Sequence, residues 1–227
     1  MPNKKKKKRL KKGFIIILFI LMFIGLFVIF YYAFPQNIRN IYVYNNKYLS
    51  DQEVIESAKI EDYPNTFKYS TKKIKNNLLK NPYIKSVKVK KKFLYIINIT
   101  VEENKVLFIR LDTNKIVFEN KNEIDYNKEV LEVPYLINYV PNTKYENLIK
   151  KLSKIDDDIL SKVSEIKYDP NDYDEDRFLL YMNDDNRVYV TLTKFDLLNK
   201  YNETIPKLEG KKGILYFDSG NYFEILK

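Results

Sequence analysis

Residues 79–103 read LKNPYIKSVKVKKKFLYIINITVEE and contain the clearest fold signal in the chain. The helix breaker Asn81-Pro82 precedes a first strand-like run, Ile84–Val89. In a second run, Phe93–Val101, alternate residues are apolar and share one face: Tyr95, Ile97, Ile99 and Val101. A period of two predicts half-buried β-strands, and Lys90–Lys92 predicts a polar connection between them. The stretch therefore predicts a β-hairpin.

The preceding residues predict one strand and two helices. Ile41–Val43 is a short apolar run, and Ser50-Asp51-Gln52-Glu53 is a capping box that begins a first helix. Ser70 or Thr71 can cap a second helix, which ends at Asn81-Pro82. The apolar residues of the two helices fall on one face of each: Val54, Ile55 and Ala58 in the first, and Ile74, Leu78 and Leu79 in the second. The predicted order is β-α-α-β-β.

The N-terminus predicts a membrane anchor. Eight of the first twelve residues are basic, no acidic residue precedes Asp51, and Phe14–Phe34 carries no charge. A helix of that length spans about 30 Å, the thickness of a bilayer core. Because the basic residues precede the helix, the positive-inside rule predicts a cytoplasmic N-terminus and an extracytoplasmic chain from residue 35 onward.

Residues 104–227 predict a second, mixed and mainly antiparallel β domain with flanking helices. One hairpin turns at Asp112-Thr113-Asn114, and another turns at Asn183–Asn186. The remaining predicted elements are a helix at Tyr145–Ile155, a strand at Val163–Tyr168, a helix after Thr193, and terminal strands at Ile214–Phe217 and Tyr222–Ile225. The α+β chain is thus divided into 1–12 (basic tail), 13–34 (transmembrane helix), 35–103 and 104–227.

The composition excludes most familiar enzyme sites. The 227 residues include no Cys, no His and only five Gly, which rules out thiol nucleophiles, Ser-His-Asp triads, Cys/His zinc sites and glycine-rich nucleotide loops. The net charge of +10 is concentrated in the tail, and the rest of the chain holds 32 basic against 30 acidic residues. A nucleic-acid partner is therefore not expected.

Acidic clusters offer the remaining candidates for site chemistry. Asp172–Asp176 has the D-x-D-x-D spacing of a calcium loop, but Arg177 and Asn183 occupy the positions that need Gly and Glu. Glu102-Glu103 points to opposite faces of a strand, and Asp156-Asp157-Asp158 fits a turn or helix start. These patterns favour a solvated loop over a metal site and give no sign of catalysis. A set of lysines, Lys88, Lys90, Lys91 and Lys92, could face an anionic polymer or lipid, although a solvated strand face is the commoner reading.

The ordered set of motifs resembles the FtsQ/DivIB family of bacterial cell-division proteins, in which the first extracytoplasmic module is similar to a POTRA domain. The matching stretches are Asn40–Val43, Leu49–Ala58, Thr66–Tyr69, Leu79–Val89, Val101–Glu103 and Gly213–Phe223. The chain departs from the family where Lys91-Lys92-Phe93-Leu94 replaces the usual Arg-x-x-Pro.

This resemblance implies a scaffold at the division septum without catalysis, cofactor or metal. Its extracytoplasmic domains would bind small bitopic proteins of the FtsL and FtsB/DivIC type and help to regulate the septal peptidoglycan synthase. The resemblance places the FtsB/DivIC-type partner on one segment: Ile214, Leu215, Tyr216, Phe217, Asp218, Ser219, Gly220, Asn221, Tyr222 and Phe223.

The same segment suggests how a partner binds. Ile214–Phe217 carries no charge or proline and lies near the chain end, so we expect it to be an uncovered sheet edge with outward aromatics such as Phe217. Two other classes stay open: a wall-active enzyme or ligand-binding protein on an anchor, and a POTRA-bearing transport or sporulation assembly protein. The enzyme class predicts a deep polar cleft with convergent carboxylates.

Overall fold

A computed structural model describes residues 11–33, 37–93, 95–127 and 131–225. Most of the basic tail, Phe34 and Leu94 lie outside the described residues. Helix α1 (Lys12–Ala33) contains the apolar stretch Lys12–Tyr32, in which an 18-residue window reaches a mean hydropathy of 3.2 and no residue is buried. By length and composition, it is the one described helix that could cross a membrane.

The chain divides into two compact units, Met1–Lys80 with Val87–Val101 and Asn81–Ser86 with Glu102–Lys227. The first unit follows α1 with β1 (Asn40–Tyr44), α2 (Asp51–Ala58), α3 (Thr71–Leu78), β2 (Ile84–Lys92) and β3 (Ile96–Glu103). This confirms the β-α-α-β-β order. Because β2 and β3 contribute residues to both units, the domain boundary at residue 103 stays a prediction.

The three strands form a sheet in the order β1-β3-β2, with β1 parallel to β3. The alternation predicted for β3 is confirmed, since Ile97, Ile99 and Val101 are buried. The capping box is also confirmed: the Ser50 hydroxyl accepts from the Glu53 N–H at 3.2 Å, and the Glu53 carboxylate accepts from the Ser50 N–H at 2.7 Å. At α3, Ser70 supplies the cap.

The connection between β2 and β3 differs from the prediction. Lys90–Lys92 belongs to β2, and the turn begins at Phe93, whose φ is +50°. Charged residues were expected to interrupt the strand, but Lys90 and Lys92 are exposed and Lys91 is only half-buried. Strand pairing uses the backbone, so a solvated lysine side chain does not end it.

The second unit holds a nine-stranded sheet in the order β12-β11-β10-β9-β8-β7-β4-β5-β6. Its strands are β4 (Val106–Arg110), β5 (Lys115–Phe118), β6 (Glu123–Asp125), β7 (Tyr135–Leu136), β8 (Val163–Tyr168), β9 (Arg177–Met182), β10 (Arg187–Thr191), β11 (Gly213–Tyr216) and β12 (Tyr222–Ile225). Its helices are α4 (Asn142–Leu152), α5 (Asp157–Leu160) and α6 (Tyr201–Thr204). One core joins strand residues such as Phe178 and Leu180 to the helix residues Leu148 and Leu152. The mixed, mainly antiparallel architecture is confirmed.

One local prediction in this unit needs correction, and two short strands were missed. The segment after Thr193 is mostly 3₁₀-helical, over Leu192–Lys200 and Ile205–Leu208, with only the short turn α6 between them. Strands β6 and β7 were not predicted, because they are three and two residues long and show no alternation to detect.

Candidate functional site at the C-terminal sheet edge

The predicted partner segment begins on β11, which is not the edge of the sheet. One side of β11 pairs in parallel with β10, and the other pairs antiparallel with β12. The expectation that Ile214–Phe217 is an uncovered edge is therefore wrong. A local sequence pattern could not show that β10 would pair with β11, because a helical segment separates the two strands. Among the described residues, the sheet ends at β12.

The backbone hydrogen bonds show which groups of β12 stay unpaired in the sheet. The Gly213 N–H donates to the Asn186 side chain at 2.9 Å, and the Phe217 N–H donates to the Tyr189 carbonyl at 2.8 Å. Backbone groups alternate sides along a strand. The N–H and C=O groups of Ile214 and Tyr216 therefore point toward β12 and bond their register partners, Glu224 and Tyr222. The N–H and C=O groups of Phe223 and Ile225 then point outward.

The side chains of the segment divide between two faces of the sheet. Leu215 and Phe217 are 3% and 6% exposed and belong to the core. The expectation that Phe217 points outward is therefore wrong, because a residue just after β11 in the same phase as Leu215 faces the core. Tyr222 lies on the opposite face and is 52% exposed.

A row of stacked groups crosses this outer face and leads to the edge. The Tyr216 and Tyr222 rings stack with centroids 4.4 Å apart, and the Tyr189 ring lies 5.3 Å from Tyr216. The Arg177 guanidinium covers Tyr189 at 3.5 Å from the ring centroid. Cross-strand aromatic and cation–π contacts of this kind stabilise neighbouring strands. The sequence pattern gave neither Arg177 nor Tyr189 a role in this row, because Tyr216 lies 27 residues beyond Tyr189 and Asp218 lies 41 residues beyond Arg177.

The turn between β11 and β12 is held by charge. The side chain of Asp218 is 9% exposed, and its carboxylate accepts a hydrogen bond from Arg177 Nε at 3.0 Å. The Arg177 guanidinium also lies 3.6 Å from the Asp169 carboxylate. Lys194 Nζ donates to the Asp218 carbonyl at 2.7 Å. The turn closes at Asn221, which has a φ of +55°. These contacts fix where β12 starts.

Close packing of β12 on β11 depends on Gly213. A Cβ atom at this position would lie 2.0 Å from the Glu224 carbonyl oxygen and 2.6 Å from the Phe223 ring. Farther along the pair, the Tyr216 hydroxyl donates to Glu224 at 2.9 Å. Burial and this hydrogen bond raise the pKa of Tyr216 to about 12. The edge strand is therefore held by backbone and side-chain contacts together.

A polar cleft of about 660 Å³ lies beside this turn and contains carboxylates from the acidic loop. Asp174 accepts from the Asp176 N–H and from Thr191, Asp176 pairs with Lys144, and Asp218 pairs with Arg177. These carboxylates bond to protein groups, and no cluster of three or more metal-ligating residues occurs within the described ranges. The cleft gives no positive support to the enzyme alternative.

The architecture and a matching family model define the class of protein. An apolar N-terminal helix precedes a β-α-α-β-β module and a β-rich unit, and the family model described as "POTRA domain, FtsQ-type" matches residues 36–104. The solved extracytoplasmic domain of the DivIB division protein of Geobacillus stearothermophilus aligns with a TM-score of 0.40 at 24% identity, covering 48% of this chain and 96% of that one.

Curated relatives extend the likeness along the chain. The cell division protein DivIB of Bacillus anthracis is 31% identical over 229 residues, covering 97% of this chain and 85% of the relative. DivIB of Bacillus subtilis is 28% identical over 243 residues, covering 99% and 88%. The chain belongs to the DivIB family of bacterial cell-division proteins, and a role connected with division follows.

Proposed function

We propose that this protein is a non-enzymatic scaffold of the divisome that binds FtsL-type and FtsB/DivIC-type bitopic proteins through its extracytoplasmic domains. In this role it helps to regulate septal peptidoglycan synthesis at the division septum. Family membership supports the link to division, and the geometry of β12 supports the binding of a partner strand.

The observation that carries the proposal is the open outer side of β12. Phe223 and Ile225 direct backbone donors and acceptors outward, as inferred from the pairing of β11, and no described strand covers them. Tyr222 and Ile225 are 52% and 53% exposed. An exposed edge with aromatic and aliphatic side chains suits β-augmentation, in which a partner strand binds through its backbone and side chains anchor it. The proposed partner site keeps the predicted segment Ile214–Phe223, but it is centred on Tyr222–Ile225 of strand β12.

The membrane topology is part of the proposal. In this proposal helix α1 is an uncleaved anchor in the cell membrane, and the basic residues before it favour a cytoplasmic N-terminus. Protease added to intact, wall-stripped cells is expected to digest residues 35–227 and leave a short protected stub. A protected C-terminal unit would contradict this orientation, with permeabilised cells as the control for protease access.

The proposed role is tested by purifying the tagged full-length chain from membranes under mild detergent. We expect small single-pass division proteins to co-purify with it, and the tagged chain to localise as a ring at midcell. An anchor without its extracytoplasmic units serves as the control and is expected to recover none of them. Diffuse or forespore localisation without these partners would favour the transport or sporulation alternative.

A further inference from the structure

The β2–β3 turn lies beside the point where the chain arrives from α1. Strand β1 runs parallel to β3, and its first residue, Asn40, pairs with Ile96. Immediately before it, the Arg39 N–H donates to the Tyr95 carbonyl at 2.8 Å. The register therefore places Phe93, at the tip of the hairpin, at the same end of the sheet as the start of β1.

A second loop lies at this end. The Ile38 N–H donates to the Pro64 carbonyl at 3.1 Å, and Lys91 Nζ donates to the Thr66 carbonyl. Partial burial of the Lys91 ammonium between these segments lowers its pKa. We call the three segments 37–40, 63–67 and 90–93 the helix-proximal end.

The helix-proximal end is held close to α1 by the covalent chain. Only four residues separate Ala33, the last residue of α1, from Ile38, which is 2% exposed in the module. The five Cα–Cα steps between them reach at most about 18 Å. The Tyr31 ring, in the last turn of α1, also lies 6.2 Å from the Phe67 ring. If α1 crosses a bilayer, this end of the module faces its surface.

The helix-proximal end presents apolar side chains to solvent. Phe93 is 85% exposed in a left-handed turn, and Phe67 and Tyr63 are 48% and 43% exposed. A φ near +50° is unfavourable for a phenylalanine, and the 85% exposed ring gains little packing from the described residues to offset that cost. Exposed aromatics beside a membrane helix suit the bilayer interface, where apolar rings enter the headgroup region.

The charge of the first unit fits an anionic surface. Residues 37–80 and 87–101 contain twelve basic and five acidic residues, an excess of seven. At the hairpin tip, Lys90 and Lys92 are exposed on either side of the half-buried Lys91. Glu61 and Asp62, just before the second loop, offset part of this charge. The tip itself carries three lysines and no acid.

We propose that the helix-proximal end docks on the bilayer spanned by α1, with Phe93 inserted at the interface and Lys90 and Lys92 bound to anionic lipid headgroups. This contact would fix the orientation of the module on the membrane. It rests on the anchor proposed above, but not on the orientation of α1 or on the partner edge.

The absence of Trp from the chain gives a direct test. In full-length protein reconstituted in phosphatidylcholine–phosphatidylglycerol vesicles, Phe93→Trp introduces a single indole at the tip. Its emission is expected to shift to shorter wavelength and to be quenched by brominated acyl chains. The control, Tyr44→Trp, lies at the other end of β1, where Tyr44 pairs with Thr100 and is 45% exposed. The control indole is expected to escape quenching.

The lipid headgroup is tested in the same background. Adding Lys90→Gln and Lys92→Gln to Phe93→Trp is expected to lower the ratio of docked to undocked module about fivefold per lysine in anionic vesicles. Omitting phosphatidylglycerol is expected to lower the same ratio. Quenching of Phe93→Trp no stronger than that of Tyr44→Trp would overturn the proposal. Quenching independent of both lysines and lipid charge would overturn the headgroup assignment. A response to soluble polyglycerol phosphate without lipid quenching would favour a wall polymer instead.

Discussion

Replacing Ile225 with proline is expected to weaken capture of a DivIC-type partner by about tenfold or more, because proline removes an edge donor and its ring obstructs an incoming strand. The Ile225 N–H points away from β11, and its side chain is 53% exposed. The bonds that hold β12 in the sheet use Tyr222 and Glu224 instead. The fold is therefore expected to survive, and binding to the immobilised extracytoplasmic part of the partner measures the effect.

The matched control is Ile225→Thr, which keeps the N–H and a β-branched side chain. Its affinity is expected to stay within about threefold of the parent, since the backbone bond is unchanged. Thermal unfolding of the two variants should coincide. If the proline and threonine variants bind equally well, the partner does not add a strand at this edge.

The second large effect is expected from Arg177→Met, which leaves Asp218 nearly buried without its cation. Breaking a buried ion pair by removing one partner typically destabilises a protein by about 3 kcal/mol or more. The substitution also removes the group stacked 3.5 Å above Tyr189, at the start of the row that leads to Tyr222. Urea unfolding of residues 35–227 measures the loss, and partner capture should fall with it.

A double-mutant cycle separates the charge from the packing. Adding Asp218→Asn to Arg177→Met is expected to recover part of the lost stability, because the unpaired carboxylate is gone. The two substitutions should therefore be less than additive. Full additivity, or a loss below about 1 kcal/mol for Arg177→Met, would show that the pair does not hold the turn.

Local signals in the sequence predicted the first module well. The Ser50–Glu53 capping box and the alternation of Ile97, Ile99 and Val101 depend on neighbours within a few residues, and the structure reproduces both. The order of elements then followed from short connections. The turn at Phe93 was misplaced because lysine is compatible with both a loop and an exposed strand face.

The candidate site was predicted only in outline, because its geometry depends on distant pairing. Whether Ile214–Tyr216 is an edge depends on β10, which lies beyond a helical segment, and on β12 at the other side. The contact of Arg177 with Asp218 joins residues 41 positions apart. No local pattern shows such a contact. The structure was therefore needed to show that the edge strand is β12 and not β11.

Amide hydrogen exchange of the full-length chain in lipid nanodiscs, resolved to single residues, tests the partner edge most directly. Without a partner, the Ile214 and Tyr216 amides should be protected by β12, while those of Phe223 and Ile225 exchange rapidly. Adding the extracytoplasmic part of a DivIC-type protein is expected to protect Phe223 and Ile225 selectively. Protection elsewhere in the chain, with these two amides still exchanging rapidly, would contradict strand addition at β12.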